Sequence, residues 1–494
     1  MRRMFDAINM VAIVLLLALP ARAQLPTLGD TSEMGSGAER KLGERIAREL
    51  YRDPDYIDDA VLVEYVQGIW QPLLAAARAR GELTAELDER FAWQVLLGKD
   101  RSINAFALPG GWMGLHLGLI SVTASRDELA SVLAHELSHV TQRHISRLMT
   151  QDKRQAPWVI AAMILGAMAA SKSADAANAV VAGSQALAMQ NQLNFSRDME
   201  READRVGYGV MTQAGFEPQG FVTMFDKLQQ AARLNDSGNF PYLRTHPMTT
   251  ERIADMQARQ QLLPRAAAAG PVMEHMMMMA RARVLSNPGV DVLRAQVRDP
   301  EAPAVAADPA RLAGALYGAA LASARLRDFA GAGRLLDRLA AVAAANPAAA
   351  RQTRLLLAEV GLLAGVTGPA ALLGDAGPSA RPELLLWSQA LTRAGRAGEA
   401  AQRLQTWVAL QPRDAAAWQQ LGAAYTAQGQ TLRAIRADAE AQAAHLDYAA
   451  AMDRLRAAQD MVRKGGTADH IEASIIDTRA RQLESLLREQ ALER

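Results

Sequence analysis

The residues best suited to do chemistry lie in one short stretch, His135-Glu136-Leu137-Ser138-His139. On a helix, a spacing of four turns the side chains by about 400°, so both imidazoles project from nearly the same side and two neutral nitrogens can reach one ion. The chain has no cysteine, so any metal must be held by imidazole and carboxylate, and zinc accepts both. Glu136, beside the first histidine, is placed to take a proton from a water activated at that ion. A catalytic zinc site needs a third protein ligand and one open position. Glu200-Arg201-Glu202-Ala203-Asp204 offers it, because Glu200 and Asp204 share a helix face while Glu202 points elsewhere. Glu200 is therefore read as the third ligand and Asp204 as the carboxylate that fixes a ligand histidine through its second ring nitrogen. Without the upstream histidine pair, the same stretch would read as a solvated acidic face with Arg201 and Arg205 as ion-pair partners.

Positioning these groups takes two helices and a support. Ser125-Arg126-Asp127-Glu128 is a capping box, and Leu129, Val132, Leu133, Leu137 and Val140 form one apolar stripe behind the histidines. A second helix is expected around Ser196 to Thr212, and helical patterning also runs from Ala38 to about Ala79. Phe91 to Leu97 and Trp112 to Ile120 are rich in β-formers, with Pro109-Gly110-Gly111 as a turn, which predicts a small sheet. If Trp112, Met113, Gly114, Leu115 and His116 form an edge strand, they can pair with an extended substrate backbone, a mode that reads main chain more than side chains. His116 otherwise reads as packed. His144, five residues past His139, falls off the metal face of a continuous helix. His275 belongs to a packing helix, the methionines of 273–279 read as core filling rather than an adaptable binding surface, and His445 and His470 read as surface residues.

Arg2 and Arg3, an apolar run from Met10 to Leu19, and Ala21-Arg22-Ala23 predict a cleaved secretion signal over residues 1–23. Trp158 to Ala170 is apolar but too short to span a bilayer and reads as a buried or lid-like helix. Beyond Pro264 to Pro271 the composition turns to alanine, leucine and arginine. There Leu384, Trp387, Leu391, Gly395 and Ala400 align with Trp418, Leu421, Tyr425, Gly429 and Ala434, the tetratricopeptide period of about 34 residues. Asp438, where an apolar residue is usual, marks the last unit as degenerate or a cap. Earlier units are expected at Leu312 to Pro347 and, as a hairpin, near Arg351 to Gly365. A formal net charge of +1 gives no reason to expect nucleic acid as a partner.

His135-Glu136-x-x-His139, Ser196 to Asp204, Thr245-His246-Pro247 and Glu251-Arg252, with Ile103 to Ala107 and Pro109-Gly110-Gly111, resemble the M48 family of zinc metallopeptidases. The resemblance implies one zinc ion per chain on His135, His139 and Glu200, with Glu136 as general base. It implies that His246 is a catalytic histidine able to fill the open position or assist the transition state; Arg252 matches a motif residue of no derivable role. The fold it implies is mainly α: a zincin-like (gluzincin) α+β domain with a small sheet over 24–265, with 151–190 as a candidate lid or insert. An α-solenoid of tetratricopeptide-like hairpins follows over 271–490. The layout implies a periplasmic endopeptidase with at most peripheral membrane contact. Its partners would be unfolded or misassembled proteins, outer-membrane β-barrel proteins and their assembly machinery. A chaperone or scaffold whose repeat groove is the main activity over a latent protease site competes with that reading. Hydrolysis of a small molecule or of peptidoglycan fits the motif but leaves the groove unused.

Overall fold

The computed structural model describes residues 34–151, 196–233, 241–261, 272–286, 289–366, 368, 380–464 and 469–492. The expected signal peptide, the apolar segment 158–170 and the body of the candidate lid at 151–190 lie outside the described residues. No helix among the described residues is long and apolar enough to cross a membrane.

Helix α1 (Ser36–Arg52) leads into strand β1 (Tyr56–Ile57) and helix α2 (Ala60–Ala79), which the Asp59 carboxylate caps by accepting from Leu62 N at 2.9 Å. Strands β2 (Gln94–Gly98), β3 (Ala105–Leu108) and β4 (Trp112–His116) complete a four-stranded sheet in the order β1-β2-β4-β3. β2 and β4 run parallel, with Gln94 opposite Trp112, and β3 returns antiparallel, with Leu108 opposite Trp112. The tight turn between β3 and β4 needs its glycines: Gly111 has φ +82°, and a Cβ there would lie 2.8 Å from Phe91 Cβ. Two expectations fail here. The strand stops at His116, after which Leu117–Val122 is helix α3. Trp112, Met113, Gly114, Leu115 and His116 are buried and paired on both sides, so they offer no free edge to a substrate; the edge strands are β1 and β3.

The metal helix α4 (Arg126–Thr141) starts at the predicted N-cap, with the glutamate of the capping box reaching one residue further back than the N-cap amide. Ser125 Oγ accepts from Glu128 N at 3.1 Å, and Glu128 accepts from Ala124 N at 2.6 Å. Helices α5 (His144–Gln151), α6 (Arg197–Gln213), α7 (Gln219–Arg233) and α8 (Thr250–Gln261) surround it. Ser196 caps α6 by accepting from Met199 N at 3.2 Å. One hydrophobic core runs from Val61 of α2 through Met256 of α8 and on to Met277 and Leu356, so it is continuous across 262–271. Met276, Met277 and Met278 of α9 (Met273–Leu285) are buried, and His275 is held between Tyr65 and Thr123.

After α10 (Val290–Arg298), α11 (Pro309–Arg325) and α12 (Phe329–Ala343) form the first helical hairpin, and α13 (Pro347–Leu363) is a single helix, not the hairpin expected near 351–365. Three hairpins follow: α14 (Arg381–Arg393) with α15 (Ala397–Leu410), α16 (Ala415–Ala427) with α17 (Thr431–Ala444), and α18 (Tyr448–Arg463) with α19 (His470–Leu492). The repeat register is visible in Gly395 and Gly429, which follow the first helix of two successive hairpins with φ of +78° and +71°. The unit carrying Asp438 is not last, since α18 follows and its Arg454 pairs with Asp438 at 2.8 Å. His445 is half-buried rather than on the surface, its ring stacked on Tyr51 of α1 at 4.5 Å.

Candidate metal centre

Apolar packing delivers polar residues to one point. Gly207 lets α6 press onto the backbone of α4, where a Cβ would lie 3.1 Å from the Ala134 carbonyl; this seats Glu200 and Asp204 against the histidines. His135, Glu136, His139, Glu200, Asp204 and His246 are each at most 1% exposed, which rules out a solvated acidic face. One donor atom each from His135, His139, Glu200 and His246 lies within 4.8 Å of the others. The Nε2 atoms of His135 and His139 are 3.0 Å apart, and Glu200 Oε1 is 3.5 Å from His139 Nε2.

The second ring nitrogens face outward to supporting groups. His135 Nδ1 is 2.9 Å from Asp204 Oδ1, though off the line of a well-aligned hydrogen bond. Arg252 clamps Asp204 with Nε and Nη2 at 2.6 and 2.7 Å and places Nη1 2.7 Å from Glu200 Oε2. The segment Tyr242–Thr245 and α8 carry His246 and Arg252 to the site. His246 stacks on Tyr242 at 4.5 Å, with Nδ1 3.0 Å from Glu200 Oε1 and Nε2 3.4 Å from Glu136 Oε1. Glu136 Oε2 accepts from Ala107 N of the edge strand β3 at 2.9 Å, while its Oε1 has no hydrogen-bond partner.

The electrostatics call for positive charge among the imidazoles. Burial alone would lower the His135 pKa, yet Asp204 and Glu200 outweigh it and push it up to about 9. Burial holds His139 well below its ordinary range. Burial would raise Glu200, but His246 and His135 keep it well below the usual carboxylate range. Burial pushes Glu136 up, toward the range a general base needs. Two imidazoles and a carboxylate with a histidine beside them, converging in a buried site, form a donor set that fits zinc.

Every predicted member of the constellation meets here, and the strand Trp112–His116 does not. Sequence reasoning missed His144. The metal helix ends at Thr141, Arg143 takes φ +52°, and the chain swings His144 back so that its Nδ1 lies 2.9 Å from His139 Nδ1 and its Nε2 3.1 Å from Glu202. Nothing in the residue spacing signals that break.

Fold and site are those of a zincin-like α+β domain with a candidate metal centre, and residues 71–260 match the model described as Peptidase family M48. The chain is 36% identical over 289 residues to a putative beta-barrel assembly-enhancing protease of Vibrio cholerae, covering 55% of each chain. It is 33% identical over 237 residues to the beta-barrel assembly-enhancing protease of Escherichia coli K12, covering 48% of this chain and 47% of that one. A more distant likeness, 28% over 197 residues, is to the mitochondrial metalloendopeptidase OMA1 of Saccharomyces cerevisiae, covering 39% of this chain and 54% of that one. The chain thus spans about half the length of the curated relatives it matches.

Proposed function

We propose that this chain is a periplasmic zinc metalloendopeptidase that degrades unfolded or misassembled proteins and assists assembly of outer-membrane β-barrels, its helical hairpins holding the client. The observation that carries the reading is the buried convergence of His135, His139 and Glu200 beside Glu136, whose Oε1 lies 3.4 Å from His246 Nε2 without a hydrogen bond. Zinc bound there supplies Lewis acidity that activates a water and polarises the scissile carbonyl. The chain's own groups do the rest. Glu136, anchored by the Ala107 amide through Oε2, accepts a proton from the attacking water and passes it to the departing amine. The edge strand β3, which supplies that amide, pairs with an extended client backbone. Asp204 and Arg252 hold His135 and Glu200 in place. The printed names of the relatives supply the β-barrel client, and the secretion signal expected over residues 1–23 supplies the periplasmic setting.

Glu136→Gln tests the reading: casein hydrolysis should fall at least about 100-fold, with zinc content and client binding retained. Unchanged hydrolysis rejects the mechanism. The contact of His246 with both Glu136 and Glu200 favours a second reading, a latent site beneath a repeat scaffold. In that case His246→Ala raises hydrolysis instead of lowering it.

A further inference from the structure

A cavity of about 1140 Å³ opens where the N-terminal end of α4, the start of α7, the methionine helix α9 and helix α11 meet. Its wall is apolar where α9 faces α11, with Met276, Met279 and Val284 on one side and Gly314, Ala315 and Ala319 on the other. The two helices already touch: a Cβ on Gly314 would come within 2.8 Å of Met276 Cβ. Charges of both signs line the opening, Asp127, Glu128, Glu217 and Asp299 against Arg283 and Arg311. Part of the acidic side is already engaged, since Lys227 holds Glu128 at 2.6 Å and Asp127 accepts from Glu217 N at 3.0 Å. One polar side chain inside is not engaged. Gln296 is 7% exposed and lines the cavity, and neither Oε1 nor Nε2 of its amide has a hydrogen-bond partner. A primary amide sets an acceptor beside donors, and its natural complement is another amide, such as the C=O and N–H of a peptide backbone. An apolar wall with one buried amide suits an extended main chain carrying apolar side chains.

We propose that this cavity is an exosite for an apolar, extended segment of the polypeptide client, held through its main chain by Gln296; the proposal rests on the reading of the chain as a peptidase for unfolded protein. The first turn of α4 lines the cavity, and His135 lies about two turns, or about 10 Å, further along the same helix. A client gripped at the exosite would thus be tethered to the helix that carries the reacting centre.

The test uses the full chain with Glu136→Gln, which holds clients without cutting them, and a fluorescent, end-capped peptide of alternating leucine and threonine as probe. Gln296→Leu removes both unpaired polar atoms without opening a void, and Ala315→Trp fills the cavity. Each should weaken binding of the probe at least about tenfold, with zinc content unchanged and the thermal midpoint not lowered. In chains with Glu136 intact, hydrolysis of a peptide too short to reach the exosite should also be unchanged. An N-methylated version of the probe should bind as poorly to the parent as the probe does to Gln296→Leu. Equal affinity for the probe in parent and Gln296→Leu overturns the proposal, as does saturable binding of palmitate, and not of the peptide, that Ala315→Trp removes. Loss of the peptidase reading shows separately, as hydrolysis that survives Glu136→Gln while probe binding stays intact.

Discussion

Two buried arginines use the same device for different ends. Arg252 grips Asp204 through Nε and Nη2 and sets Nη1 2.7 Å from Glu200. Arg281 of α9 grips Asp59 through Nε and Nη2 at 2.8 and 2.6 Å and sets Nη1 2.8 Å from Glu359 and 3.0 Å from the Tyr317 hydroxyl. The two side chains are 3% and 4% exposed, and their acidic partners hold both guanidinium groups fully charged. At the first site the clamped acids are a ligand candidate and the support of another. At the second they are the cap of α2 and a residue of α13, so the clamp joins three distant stretches of chain. Arg351 repeats the joint between Glu64 and Glu383, and Arg381 between Asp58 and Asp414. The difference teaches that buried charge in this fold is not by itself a sign of catalysis. What marks the metal site is the presence of imidazoles whose remaining nitrogens face one another.

Arg281→Met and Arg252→Met make that comparison breakable. Each removes the guanidinium that two carboxylates share, fully buried at Asp204 and Glu200 and partly buried at Asp59 and Glu359. In denaturant unfolding of the zinc-free protein, Arg252→Met should therefore cost about 3–5 kcal/mol and Arg281→Met less. Only Arg252→Met should then weaken zinc binding, by about 10–100-fold in competition with a chelator, because only its carboxylates orient the ligands. Equal zinc affinity in the two variants would mean that Arg252 is another joint.

The same titration reaches His144. Burial lowers its pKa to about 4 despite Glu202, so at neutral pH it is an uncharged acceptor for the outward nitrogen of His139. His144→Phe should reduce zinc affinity about tenfold, less than Arg252→Met, because it removes one hydrogen bond and no charge. An unchanged affinity would confine the working support to Asp204 and Arg252.

What could be read from the residue order follows from distance along the chain. His135, His139, Glu200 and Asp204 were legible because a spacing of four maps directly onto one helix face. The hairpins of 381–444 were legible because their period repeats, and the capping box because its partners are three residues apart. The strand Trp112–His116 had the right composition, but whether it lies inside or at the edge depends on β2 and β3 pairing with it. Arg252, Arg281 and Gln296 act through residues far away in sequence or through none, so no spacing points to them. His144 was misplaced by assuming a helix that in fact ends at Thr141.

The smallest expected effect separates the joint at Arg281 from a titratable neighbour on the same helix. His275 Nδ1 is 2.6 Å from the Tyr65 hydroxyl and its Nε2 2.8 Å from the Thr123 carbonyl, a pattern that suits a neutral ring donating at Nε2 and accepting at Nδ1. Burial lowers its pKa, and the backbone contact to Thr123 and the charge of Glu128 only partly oppose that, with Lys227 and Asp127 as weaker influences. The unfolded chain therefore binds a proton near pH 6.5, before the folded chain does, and stability present above that pH is lost as the pH falls through and below it. The loss from this group is at most about 1.4 kcal/mol per pH unit, whereas the arginine clamp keeps its charge throughout. His275→Gln, which retains a donor and an acceptor, should lower stability at pH 7.5 slightly and flatten its decline between pH 7 and pH 5.5 in urea unfolding. A decline as steep as the parent's would show that His275 is already protonated in the fold, or that another buried histidine carries the acid sensitivity of this junction.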